Sequence, residues 1–158
     1  MPKTGKIALA VATACFLTGA ITATAPTASA QPTEFTDKVR PVLYDGYLSP
    51  APDGTVIVGD AHEWVFSETP SRTFTIRSSN LPGAPCLTAE GDGQPVRVDA
   101  CRPGAEGQTW DLRESRQIHA LLIESVDLPN EVLEAHGAGL VVTLEPKTDN
   151  LDQRWHLL

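Results

Sequence analysis

Three tryptophans set the frame. Trp64, Trp110 and Trp155 are separated by 46 and 45 residues. Each opens a similar short segment: Trp64-Val65-Phe66, Trp110-Asp111-Leu112 and Trp155-His156-Leu157. Two share a lead-in, Gln108-Thr109-Trp110 and Gln153-Arg154-Trp155, where the first has His62-Glu63-Trp64. A fixed period of this length marks a chain built by repeating one supersecondary unit.

The repeat extends upstream of the tryptophans. Tyr47-Leu48, Cys86-Leu87 and Val132-Leu133 lie 17, 24 and 23 residues before them. The runs Val56-Ile57-Val58, Val96-Arg97-Val98 and Val141-Val142-Thr143 follow these pairs, and Phe35, Phe74-Thr75-Ile76 and Ala120-Leu121-Leu122-Ile123 precede them. Each unit thus offers four short β-forming runs punctuated by Gly, Pro, Asp and Asn. Unit one is about six residues shorter, all lost between its third run and its tryptophan. No stretch carries a helical period with caps, and thirteen prolines argue against a helical bundle. The expectation is an all-β fold of about twelve strands. Three units are too few for a propeller. A closed barrel with threefold pseudosymmetry leaves no free sheet edge.

Residues 1–30 read as a secretory signal peptide. Lys3 and Lys6 form the basic start, Ile7 to Ala20 the mostly apolar middle, and Ala28-Ser29-Ala30 the small-residue cleavage site. The apolar run is short and broken by Thr, which argues against a membrane span. Cys15 lies in a segment loosely like a lipoprotein cleavage box, without the leucine usual three residues earlier. The expected product is an extracellular chain from Gln31, with one domain over 31–158 in units of about 31–68, 69–113 and 114–158. Cleavage leaves Cys86 and Cys101. Two cysteines in an oxidising compartment most simply pair, and closing a loop of about 15 residues contributes roughly 3 kcal/mol. The rival reading is a metal site, which lacks the usual CxxC spacing.

The net charge is −8. The leader holds two lysines and no acid, so the remainder is more acidic still. Nucleic acid and anionic membrane surfaces are excluded as partners, because both recruit Lys and Arg. The histidines His62, His119, His136 and His156 form no HExxH, and no Gly-x-Ser-x-Gly occurs. Asp60-Ala61-His62-Glu63 and Glu90-Gly91-Asp92-Gly93 read as turns. No acid/base pair demands catalysis, so no enzyme, cofactor or metal site is expected.

Gln108-Thr109-Trp110, Gln153-Arg154-Trp155 and Cys86-Leu87 with Cys101 resemble the ricin-B-type β-trefoil family, whose repeat of about forty residues ends in Gln-x-Trp. The resemblance covers 31–158 and is strongest in unit two. It implies that Trp64, Trp110 and Trp155 are core residues and that Cys86 and Cys101 are paired. It also implies a sugar site in each unit, made from an Asp after the Cys-Leu pair, an aromatic ring after the third strand and an Asn before the Gln.

This chain departs from that pattern throughout. Unit two has Thr88, Asp99 and Gly107 at the three positions. Unit three has Glu134, Glu145 and Asp152, so carboxylates gather there without a ring. Unit one has Ser49, and its ring-bearing loop is the shortened one. The sugar-site candidates are Glu134, Glu145, Asp152, Gln153 and Tyr47. Alternatives for the three acids are solvated surface carboxylates or a hard-cation site.

β-Trefoils also include protease inhibitors of the Kunitz and mycocypin types. The Kunitz-type loop would be Ser67 to Thr73, with Arg72 entering a trypsin-like pocket and Pro70 stiffening the approach. Lys147 and Arg102 are alternative contact residues. The expectation is therefore a secreted, monomeric, non-enzymatic β-trefoil binding protein. Its partner is a glycan or, alternatively, a secreted protease.

Overall fold

The computed structural model describes residues 33–115 and 119–158. The leader expected over residues 1–30, the expected cleavage site and Cys15 lie outside the described residues. Twelve strands follow in order: β1 Glu34–Pro41, β2 Tyr47–Pro50, β3 Val56–Gly59, β4 Glu63–Glu68, β5 Phe74–Ser78, β6 Cys86–Thr88, β7 Arg97–Asp99, β8 Trp110–Ser115, β9 Ala120–Ser125, β10 Glu131–Ala135, β11 Val142–Pro146 and β12 Trp155–Leu157. A 3-10 turn, Leu151–Gln153, precedes β12.

Six strands close a barrel. β1 pairs β4, β4 pairs β5, β5 pairs β8, β8 pairs β9, β9 pairs β12, and β12 returns to β1, all antiparallel. The alternation in β4 shows why these residues suit a barrel wall. Trp64 and Phe66 are fully buried while Glu63 points out, the period-two pattern of a strand with one wet face.

The remaining strands form three hairpins, β2–β3, β6–β7 and β10–β11. They meet through the bridges Thr55↔Arg97, Ile57↔Val141 and Pro95↔Thr143. At that meeting point Val56 N–H donates to Val96 O at 2.8 Å and Val96 N–H to Val142 O at 2.9 Å. All three valines are fully buried. Six barrel strands capped by three hairpins is the β-trefoil arrangement.

The tryptophans anchor each hairpin to the barrel. Trp64 Nε1–H donates to Leu48 O at 2.9 Å, Trp110 Nε1–H to Leu87 O at 3.0 Å, and Trp155 Nε1–H to Leu133 O at 3.1 Å. Each indole is 0% exposed. Each contributes about 4–6 kcal/mol of apolar burial, and its one polar atom is satisfied by a backbone carbonyl. The shortening of unit one is visible as three residues between β3 and β4, against ten between β7 and β8.

Cys86 and Cys101 form a disulfide, with Cα atoms 5.0 Å apart. It ties β6 to the loop that leads towards Trp110. In unit three the matching residues are Val132 and Lys147, and Lys147 Nζ instead donates to the buried Glu124 Oε2 at 3.2 Å.

Candidate functional site

The glutamine of each Gln-x-Trp segment builds the site from the backbone outwards. Gln108 is 5% exposed and Gln153 fully buried. Gln153 Oε1 accepts the Thr148 N–H at 2.7 Å, and its Nε2–H donates to Pro146 O at 2.9 Å. Gln108 makes the matching pair with the Arg102 N–H and Ala100 O, both at 3.0 Å. Each amide thereby fixes the loop after the third strand. Its last N–H reaches the residue after the hairpin's leucine: Thr88 Oγ1 at 3.1 Å in unit two, Glu134 Oε2 at 2.7 Å in unit three. A buried amide that satisfies three partners is a rigid support.

Glu134 is the side chain this support holds out. Its own exposure is 19%, and its Oε1 lies 3.7 Å from His136 Nδ1. Across the hairpin Glu134 pairs in register with Thr143. Thr143 Oγ1–H donates to Glu145 Oε1 at 2.8 Å. That leaves Thr143 Oγ1 as acceptor from His136 Nε2–H at 2.7 Å. Gln153, Glu134, His136, Thr143 and Glu145 therefore form one connected polar surface. His136 escaped the sequence reading, which expected no ring in unit three. It sits two residues past Glu134 on the same side of the chain, and the i, i+2 spacing at the end of β10 was the available signal.

A further carboxylate, Glu131, borders this surface. Burial holds its pKa above the usual carboxylate range, and the neighbouring Asp92 and Glu145 add to the effect. Asp152 stands apart: its Oδ1 is buried without a hydrogen-bond partner, and it joins neither Glu134 nor Glu145 in the network. Among the described residues no three His, Cys, Asp or Glu are placed to hold a metal ion. The hard-cation alternative for Glu134, Glu145 and Asp152 finds no support in that placement.

Tyr47 is also outside the network. It pairs with Gly59 in β2–β3 and is half-buried, at the position that the buried Cys86 and Val132 hold in the other units.

Unit two cannot carry the same surface. At Gly107, where the family resemblance puts Asn, φ is 76°. A Cβ there would stand 2.2 Å from Ala89 O, and the Gly107 N–H is already held by Asp127 Oδ2 at 2.7 Å. A side chain is sterically excluded. Arg97 occupies the place of Thr143 and reaches away to Asp53 O at 2.8 Å. In unit one His62 replaces the glutamine, and its Nε2 meets Ser78 Oγ at 3.0 Å instead of the hairpin. Burial lowers the His62 pKa, opposed by the nearby Glu63.

The three basic candidates are scattered. Arg72 caps a closed turn in which Thr69 N–H donates to Thr73 O at 2.7 Å and Arg72 N–H to Thr69 O at 2.9 Å. Its φ is 63°, the left-handed region and not an extended strand. Lys147 is committed to Glu124. Arg102 is exposed on the loop that Gln108 fixes.

No family profile matches the sequence, and no curated protein matches it. Solved structures do. The designed three-fold symmetric protein ThreeFoil superposes with a TM-score of 0.68 at 15% identity, covering 78% of this chain and 97% of its own. The Rhizoctonia solani agglutinin gives 0.65 at 14%, covering 80% and 95%. The Polyporus squamosus lectin, solved with a human-type influenza-binding epitope, gives 0.64 at 14%, covering 77% and 48%. Taken with the closed six-stranded barrel and its three hairpins, these likenesses make the chain a β-trefoil.

Proposed function

We propose that this chain is a secreted carbohydrate-binding β-trefoil with one working site, in unit three. The observation that carries the reading is the Glu134 carboxylate, held by Gln153 at 2.7 Å and flanked by His136, Thr143 and Glu145. Carboxylate oxygens accept hydrogen bonds from sugar hydroxyls, and the His136 imidazole supplies a flat face from the end of β10, while the family's ring position itself holds Glu145. Two of the folds it resembles belong to an agglutinin and a lectin, which supports the same direction. Secretion is inferred from the leader-like residues 1–30 and agrees with a disulfide in the domain.

The protease alternative draws less support. A chain segment read by a protease cleft binds as an extended strand, and Arg72 lies in a closed turn with φ 63°.

A glycan array run beside a panel of serine proteases tests the reading. The expected result is glycan binding that Glu134→Ala weakens by about 1.5–3 kcal/mol while Thr88→Ala leaves it unchanged. Trypsin inhibition lost in Arg72→Ala, with a silent array, would overturn it. Sequencing the protein released from expressing cells should find Gln31 as its first residue.

A further inference from the structure

A hollow of about 320 Å3 opens on the barrel wall of unit two, away from the Glu134 surface. The Cys86–Cys101 disulfide, Thr75 and Arg77 line it, and Arg102 to Ala105 form one wall. Its surface is mostly apolar. No carboxylate lines it, although the chain has 20 acidic residues against 12 basic ones. Two arginines, Arg77 and Arg102, do line it. Arg77 is partly engaged, donating to Glu34 Oε2 at 2.9 Å and Ser67 Oγ at 3.2 Å. Arg102 makes no ion pair among the described residues.

Both walls are fixed before any ligand arrives. On one side Ala105 N–H closes a turn onto Arg102 O at 3.0 Å, and Arg102 N–H is held by Gln108 Oε1. On the other, the Thr69–Thr73 turn is closed by backbone bonds and by a 2.7 Å contact between its two threonine hydroxyls. Preformed walls remove the ordering cost that weakens flexible sites. The size and apolar lining match small-molecule pockets, with a few polar groups to fix orientation.

Pseudosymmetry sets this hollow apart. By strand register Arg77 opposes Cys86 as Glu124 opposes Val132. In unit three the matching positions hold the Lys147–Glu124 ion pair, a self-satisfied arrangement. Unit two has a disulfide and an arginine there, leaving cationic hydrogen-bond donors beside an apolar floor.

We propose that this hollow binds a small apolar monoanion, an aromatic carboxylate or its equivalent, with the ring against the disulfide and Ala105 and the anionic group at Arg102. The proposal is independent of sugar binding at Glu134.

The test uses naphthalene-2-carboxylate as the probe and its amide as the neutral control, read by calorimetry and by amide chemical shifts on the full chain. The carboxylate should bind at least tenfold more tightly than the amide at low salt, with shifts centred on residues 69–77 and 101–109. Arg102→Glu should weaken it at least tenfold, and Ala105→Phe, which fills the hollow, should abolish it. Arg102 is exposed and its side chain holds nothing else in place, so Arg102→Glu should fold normally. Equal affinity for amide and carboxylate, unchanged binding in Arg102→Glu, shifts centred elsewhere, or no binding up to millimolar probe would each overturn the proposal.

Discussion

Units two and three carry the same buried clamp, Gln108 in one and Gln153 in the other, with matching backbone partners. What the clamp holds is different. In unit two it ends on a threonine hydroxyl, beside a glycine that admits no side chain. In unit three it ends on a carboxylate that belongs to a five-residue polar network. The tie that holds the loop after the third strand differs as well: a covalent bond to the hairpin strand β6 in unit two, an ion pair to the barrel strand β9 in unit three. One scaffold thus separates two tasks. The part that specifies the fold is shared, while the exposed ends of the same clamps diverge in chemistry.

The largest effect expected from forcing unit two towards the family pattern is at Gly107. Gly107→Asn should destabilise the protein by about 3 kcal/mol or more, through the clash with Ala89 O and the positive φ. Urea unfolding measures it, and an unchanged midpoint would mean that the loop yields easily and that sterics did not exclude the side chain.

Next comes the cross-link. Replacing Cys86 and Cys101 together by Ser should lower stability by about 3 kcal/mol. Thiol labelling of the unfolded, unreduced wild type should find no free thiol. Its counterpart in unit three is weaker. Lys147→Met should cost about 1–2 kcal/mol, because Glu124 keeps Arg113 at 3.3 Å and the Asn130 N–H at 3.1 Å. If the two losses prove equal, the contrast between covalent and ionic closure fails.

The smallest effect is at unit one and appears only as a pH dependence. The His62 pKa is lowered by burial, so the unfolded chain binds a proton more readily than the folded one. Its stability contribution is then complete above the ordinary histidine pKa and falls as pH drops below it. His62→Gln should flatten the stability profile between about pH 7 and pH 5 while changing little at pH 7.5. Thermal melts across that range decide the matter, and a profile identical to wild type would assign the acid sensitivity to other groups.

Much of the fold could be read from the chain because its cause is local and repeated. The tryptophan period, the Leu48, Leu87 and Leu133 pairs and the missing residues of unit one all reappear at matching positions in the structure. The site was only partly legible. Glu134, Glu145 and Gln153, positions that the family resemblance implied, share one polar network. Asp152 and Tyr47 do not, because a position in a repeat fixes where the backbone passes and not which partner a side chain finds. His136 was passed over because a lone histidine in a turn carries no signal until the facing strand brings Thr143 beside it.

By itself the sequence determined the period of the repeat, the four-run content of each unit and the presence of one cysteine pair beyond residue 30. These follow from patterning that each unit carries internally. Only the tertiary structure decided that Gly107 leaves no room for a side chain, that His136 closes a network around Glu134, and that a hollow lined by two arginines opens beside the disulfide. Each of these depends on contacts between segments far apart in the chain, where distances of a few tenths of an ångström select between a clash, a hydrogen bond and an open space.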